Sequence, residues 1–531
     1  AVSSGKVHSV FPNSTDADFD FNRDSDATRV NSEGLIERVG YYGSELILNG
    51  NFATDTNWIK GAGWTISGGE ANCNSGSSTE LYQSLAVSGK TYKITFTITS
   101  YTSGQIAARA GGITGVVRTS IGTFTDTITA NGTQLGVFNS GGFVGSIDNV
   151  SAVEVTGDRA RLNYEIEGGL VNTKPSLLLE PQSTNEVTYS EKFNEWSNVG
   201  GVTLTSDISK SPDGSISADG IQDTTGGSFK RIRIVKGSLS PNSTFTASVF
   251  VKKETSQINF GGIALVYQNV STATSYGIID AVNGTIVNGS GSITPTFNVV
   301  DFGNYWRFEM TSTDNGSNTA VEFAIYGTLS NNGTSLGVGA GSVRTIWGAQ
   351  LEQKSYCTSY IPTNGSTQTR AAETCNGAGT SSIFEDSEGI LYAELKNIAN
   401  DGTNKCIAIS RGLTVNNRVT IVVGTGDNVI RPHIIKNGVA VFDSTTNSFN
   451  TVDNFVKIAV RYKTNDFACW VNGTQALTDT SGDVPTGLDT LNFDVGNNTL
   501  PFYGKIRDIR VYNTKEMTDS EVDILLTKIT S

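Results

Sequence analysis

Apolar side chains recur at every second position in many short stretches of this chain, and that spacing confines it to β structure. In Tyr92-Lys-Ile94-Thr-Phe96-Thr-Ile98 the intervening residues are Lys or Thr, the pattern of a strand with one face on a core and one toward water. Phe245-Thr-Ala247-Ser-Val249-Phe-Val251 and Val456-Lys-Ile458-Ala-Val460-Arg-Tyr462 keep the same period. Clusters of Gly, Asn, Ser and Asp separate such runs. Asn437-Gly438 and Asn472-Gly473 each fall between apolar segments and predict type I′ hairpins, because both residues tolerate the positive φ that this turn requires. One helix is predicted, near the end. Thr518-Asp-Ser-Glu521 forms a capping box, and Val522, Leu525 and Leu526 follow at helical spacing.

With 531 residues, and about 100–200 residues to a domain, three or four domains are expected. Lys and Arg total 38 against 51 Asp and Glu, a net charge of −13. That balance disfavours a nucleic-acid partner, which would need a phosphate-neutralising surface. No stretch reaches the ~18 apolar residues of a membrane span. The opening AVSSGKVHSV lacks a basic region followed by an apolar one, so a soluble chain without classical export is expected. Cys73, Cys357, Cys375, Cys406 and Cys469 are odd in number and form no CxxC pair, which predicts free thiols rather than disulfides or zinc. His8 and His433 are too far apart in sequence to suggest a histidine metal centre.

Two middle stretches share an order of signals. The first runs Glu45-Leu-Ile-Leu48, Phe52, Trp58, the strand at 92–98, then Gly145-Ser-Ile-Asp-Asn-Val150. The second runs Asn185-Glu-Val-Thr-Tyr189, Phe193, Trp196, the strand at 245–251, then Ile346-Trp-Gly-Ala-Gln-Leu-Glu352. The chain therefore reads as all-β, with tandem antiparallel sandwiches behind an extended N-terminal segment. The predicted plan is a docking segment at 1–42, jelly-roll-like sandwiches at 43–156 and 186–353, connectors at 157–185 and 354–380, and a third sandwich at 381–531. Phe19, Phe21, Val30, Leu35 and Ile36 in the first segment are too few to build a core and demand a partner surface.

Four segments resemble those of tailed-bacteriophage structural proteins such as head fibres, decoration proteins and tail or baseplate appendages. They are Phe19-Asp-Phe21-Asn-Arg23 with Ala27-Thr-Arg-Val-Asn31 and Gly34-Leu-Ile-Glu37; Leu177-Leu-Leu-Glu180-Pro-Gln182 with Thr184-Asn185; Trp347-Gly-Ala-Gln-Leu-Glu352; and Thr358-Ser-Tyr-Ile-Pro362-Thr with Thr369-Arg370-Ala-Ala372. The last domain resembles a laminin-G or concanavalin-A-like sandwich through Gly504-Lys-Ile506 and Ile509-Arg-Val-Tyr512-Asn513. The resemblance implies a protein of the virion surface, assembled in the bacterial host cytoplasm and docked on other capsid or tail proteins through its N-terminal part. It also implies a homo-oligomer, commonly a trimer, and sandwiches that engage cell-surface glycans without inserting into a membrane.

Two alternatives stand beside glycan adhesion: a purely structural decoration protein, and an appendage that degrades polysaccharide. Hydrolysis would need two carboxylates facing one sugar. In the densest acidic cluster, Glu385-Asp386-Ser-Glu388, the first two are adjacent and point to opposite sides, so a loop is expected and no catalytic residue is assigned. Asp16-Ala-Asp18-Phe-Asp20 imitates the start of a calcium loop, but Phe21 and Ala27 stand where an EF-hand needs Gly and Glu. No cofactor is assigned, and the resemblance alone leaves room for calcium in sandwich loops. Gly337-Val-Gly-Ala-Gly341 is no phosphate loop, and no Gly-x-Ser-x-Gly elbow stands in a strand-turn-helix setting. Sugar recognition uses aromatic faces, so Trp58, Trp64 and Trp196, in polar loop-like surroundings, are the candidate ligand surface. Trp306, Trp347 and Trp470 lie in strand patterns and are expected to pack. Tyr41-Tyr42 is expected at a packed junction.

Overall fold

A computed structural model describes residues 2–3, 6–7, 10–11, 18–40, 42–156, 159–223, 230–255, 260–316, 318–329, 343–424, 429–446 and 449–531. His8, Asp16, Tyr41 and Gly337–Gly341 lie outside them. The chain divides into two compact units, Gly40–Gly157 and a larger one made of Ala1–Val39 with Asp158–Ser531. The described residues are almost all β, with one α-helix, Asp519–Thr530.

In the unit Gly40–Gly157 the long strands Thr91–Ser103 and Val144–Val155 pair antiparallel at the centre of a six-stranded sheet. A five-stranded sheet, Ile113–Thr114, Ile106–Ala110, Gln134–Asn139, Thr79–Ser84 and Ile59–Lys60, supplies the second layer. The predicted alternation is realised: Tyr92, Ile94, Phe96 and Ile98 are buried in the shared core, while the threonines between them stand on the outer face. There Thr95 and Thr97 pair by hydroxyl across to Thr125 and Thr123, the kind of cross-strand contact that holds a solvated sheet face.

The larger unit contains two sandwiches. The first consists of two six-stranded sheets. One is ordered Ser197–Val199, Arg231–Gly237, Ala320–Leu329, Phe260–Gln268, Ala273–Asp280 and Thr285–Asn288. The other is ordered Thr203–Lys210, Ile216–Gln222, Arg344–Glu352, Thr244–Lys252, Tyr305–Thr313 and Thr296–Phe302. Phe245, Ala247, Val249 and Val251 face the core between them. Gly348 sits at φ +62° in a bulge, where a Cβ would come within 3.0 Å of the Phe250 ring. The bulge lets Trp347, Gln350 and Glu352 share the outer face with Phe250, Ser248 and Thr246.

The C-terminal sandwich has Glu388–Asn397 and Val456–Lys463 at the heart of a nine-stranded sheet, opposed by a five-stranded one containing Lys405–Ser410 and Arg418–Val423. Both Asn-Gly pairs form the expected hairpin turns, with φ of 50° and 81° at Asn437 and Gly438, and 47° and 82° at Asn472 and Gly473. The capping box is present, and Val522 and Leu526 pack on Ile390, Tyr392 and Ala459.

The described apolar residues proposed for docking within 1–42 are used inside the chain. The strand Phe19–Asn22 pairs with Thr374–Asn376, and Phe19 and Phe21 are buried in the core of the C-terminal sandwich, the Phe19 ring 5.2 Å from that of Phe493. Strands Ala27–Val30 and Ile36–Val39 form a hairpin whose Ile36 is buried against Phe250, Trp347 and Tyr360, with Val30 and Leu35 half-buried beside it. The partner surface that these apolar residues require is supplied by the same chain.

The connectors are corrected as well. Ser176–Leu179, within 157–185, is a strand of the nine-stranded sheet and pairs with Gly504–Asn513. Within 354–380, Tyr360, Arg370, Glu373 and Cys375 are buried. Each carries apolar and charged side chains that are buried within the larger unit, Arg161, Leu179 and Glu180 in the first and Tyr360, Arg370 and Glu373 in the second.

Candidate functional site

A buried polar lock of three arginines and two glutamates lies in the larger unit. Arg161 reaches Glu373 at 2.8 Å and Glu180 at 2.7 Å, and also donates to the Thr28 carbonyl and the Ser359 hydroxyl. Arg23 pairs with Glu373 at 3.0 Å, and Arg370 with Glu180 at 3.0 Å. The side chains of Arg23, Arg161, Arg370 and Glu373 have no solvent exposure. Burial works against the charge on Glu180, but Arg370, Arg161 and the Ser359 donors overcome it and hold the carboxyl well below the ordinary range. On the neighbouring sheet face Glu352 accepts from Ser183, Thr358 and Gln350. Leaving any of these charges unpaired in such surroundings would be costly, so the set acts as one unit.

Beside the lock lies a cleft of about 620 Å³, within the roughly 300–1,000 Å³ typical of small-molecule sites. One wall follows from strand periodicity. Asn298 and Val300 of one strand stand opposite Glu309 and Arg307 of the next, all on the outer face of their sheet. The other wall combines Tyr164 and Glu165 with Lys396, Asn400 and Lys505, and the segment Ser355–Tyr360 also lines the cleft, tied to the hairpin face where Arg307 donates to the Thr358 carbonyl at 2.9 Å. Glu165 pairs with Lys396 at 3.1 Å and with Lys505. Burial opposes its charge, yet the two lysines keep its carboxyl below the usual range. Arg307 lies 3.5 Å from Glu309, and Asn298 donates to Glu309 at 2.9 Å.

The tryptophans named from the sequence are elsewhere. Trp58 and Trp64 are buried in the core of the unit Gly40–Gly157, and Trp196 in the first sandwich of the larger unit, all at most 8% exposed. The Nε1 of Trp58 donates to the Asn49 carbonyl at 3.0 Å and that of Trp196 to the Tyr189 carbonyl at 2.8 Å. None offers a ring face to a sugar. Polar neighbours in sequence do not keep these indoles outside: Trp64 opens the strand Trp64–Ser67, and Trp58 and Trp196 pack against Phe52 and Phe193. Trp347 packs as expected, and Trp306 and Trp470 are half-buried.

The acidic cluster ties its loop to distant segments of the same sandwich. Asp386 accepts from the amides of Gly487 and Leu488, and Glu385 from Ser387. The segments LLLEPQ and TRAA carry Glu180 and Arg370 of the lock, but a buried arginine looks like a surface one in sequence. The cleft has no local signal, because its walls come from distant segments.

No protein-family model and no curated protein matches the chain. Among solved structures it is similar to the N-terminal CBM22-1–CBM22-2 tandem domain of Paenibacillus barcinonensis Xyn10C, at 10% identity over 59% of this chain and 98% of that one, with a TM-score of 0.26. It is also similar to domains LG4-5 of the mouse laminin alpha1 chain, at 10% identity over 59% of this chain and 89% of that one, with a TM-score of 0.19. Superpositions at this level are too loose to carry a ligand from one protein to another.

Proposed function

We propose that this chain is a non-enzymatic surface appendage of a tailed-phage particle, whose sandwiches adhere to host or environmental glycans. The observation that carries the reading is the meeting of all four phage-like segments in the larger unit. Thr28, Glu180 and Arg370 belong to three of them and join at Arg161 and Ser359, and the fourth contributes Glu352, which Thr358 and Ser183 engage. Segments shared in this way specify a joint, and a stiff joint between sandwiches is what an externally mounted display protein requires.

In this reading the protein is assembled in the host cytoplasm and mounted on capsid or tail proteins as a homo-oligomer, a trimer in the simplest arrangement. Many copies convert weak single-site binding into firm attachment. The net charge of −13 favours solubility at high copy number. Because residues 19–36 are used within the chain, mounting falls to another surface. Antibody labelling of particles with low-resolution imaging tests the placement. Label on the capsid or tail exterior is expected, and particles without label overturn the reading. A purely structural decoration protein would give the same image and no glycan binding.

A further inference from the structure

We infer that the cleft between the Thr296–Thr311 hairpin face and the Tyr164–Lys396–Lys505 wall is a binding site for a neutral oligosaccharide. The inference rests on the adhesive reading above and names its site.

Charge comes first. Each cation in the wall already faces a carboxylate: Lys396 and Lys505 share Glu165, Arg307 adjoins Glu309, and Arg29 pairs with Glu37. A phosphate, sulfate or polyuronate entering the cleft would have to displace these acids, and a cationic ligand would have to displace the bases. A ligand without net charge meets neither obstacle. It finds fixed donors and acceptors of both kinds, as hydroxyl groups prefer.

Shape and composition agree. Tyr164 and Tyr356 line the cleft half-buried, each with an apolar ring and a hydroxyl, which suits the two-faced character of a pyranose. Asn298 and Asn400 are exposed at the mouth. Asn298 uses one amide hydrogen on Glu309 and so is held in one orientation, ready to meet a hydroxyl with its remaining capacity. The volume of about 620 Å³ accommodates a short oligosaccharide rather than a single small ion. The walls are braced by ion pairs and by the lock, so little freedom is lost on binding.

The test uses the full chain on an array of neutral oligosaccharides built from hexose and N-acetylhexosamine, with sulfated and polysialic glycans alongside. Wild-type protein is expected to bind neutral members and to ignore the anionic ones. Tyr164→Ala and Tyr356→Ala should each weaken binding about tenfold, and Thr296→Trp, which narrows the exposed edge, should abolish it. All three should keep the wild-type melting temperature, and Thr296→Trp remains informative if a tyrosine variant fails to fold. Unchanged binding in the folded variants overturns this site and leaves adhesion standing. Preference for anionic glycans also overturns it. Wild-type protein that binds no glycan overturns the adhesive reading together with the site, while particle labelling judges the virion role separately.

Discussion

The Nε of Arg161 donates to Glu373 at 2.8 Å across 212 residues of sequence, and neither side chain touches solvent. Glu373 also takes Arg23 and the Glu180 amide, so its neutralisation takes a buried carboxylate from Arg23 and leaves Arg161 sharing Glu180 with Arg370. Glu373→Gln should therefore destabilise the larger unit by about 3–5 kcal/mol, the usual result of breaking a buried pair. Chemical denaturation followed by tryptophan fluorescence measures it, and a loss below about 1 kcal/mol would refute the lock as a structural unit.

Glu180 binds its proton far less readily in the folded state than in the unfolded chain, where the ordinary value is about 4.3. Its stabilising contribution is complete above that value and is lost as pH falls below it. Melting temperatures recorded from pH 5 downward should decline, and Glu180→Gln should both lower the plateau and flatten the decline.

His433 titrates in a different window. Burial first, then Arg431 and Arg418, pull it down to about 4, with Asp443 opposing. Arg418 reaches its Nδ1 at 3.2 Å, a contact that favours the unprotonated ring. The unfolded chain takes up this proton from about pH 6.5. Stability should thus fall between about pH 6.5 and about 4 and then level off for this group. His433→Gln should remove that part of the pH profile, and a profile unchanged by the substitution would contradict the assignment.

Fragments should behave unequally. The unit Gly40–Gly157 owns its entire hydrophobic cluster and should fold alone with a cooperative melt. The fragment 381–531 lacks Phe19, Phe21, Leu177 and Leu179, which belong to its core. It should melt broadly and bind hydrophobic dyes. In the whole chain Phe21→Ala should cost about 3–5 kcal/mol.

Trp58→Ala should likewise cost the unit Gly40–Gly157 about 3–5 kcal/mol, because the ring fills a core beside Phe52 at 5.1 Å. Its glycan-array profile should match wild type. A selective loss of glycan binding in a fully stable variant would restore Trp58 as a contact residue.

What the sequence disclosed was local. Tyr92 to Ile98 announced a strand, Asn437-Gly438 a turn, and Thr518 with Glu521 a helix start, since each depends on neighbours a few positions away. Phe19, Phe21 and Ile36 were legible as apolar residues in need of cover, yet nothing in their own segment says which surface provides it. Arg161 and Glu373 were opaque for a further reason. Charge usually marks the exterior, and only the three-dimensional meeting of Arg23, Glu180 and Arg370 shows that these charges satisfy one another. The cleft was invisible because Tyr164, Asn298 and Lys396 come from three different sheets or loops.

The partnership of Phe19–Asn22 with Thr374–Asn376, and of Phe19 with Phe493, imposes a schedule on synthesis. The early strand leaves the ribosome long before its mates exist and must wait, greasy and uncommitted, while several hundred codons are read. Long-range closure of this sort is slow, so chaperone holding is favoured during translation. A prematurely terminated polypeptide would keep those phenylalanines bare, marking it for destruction.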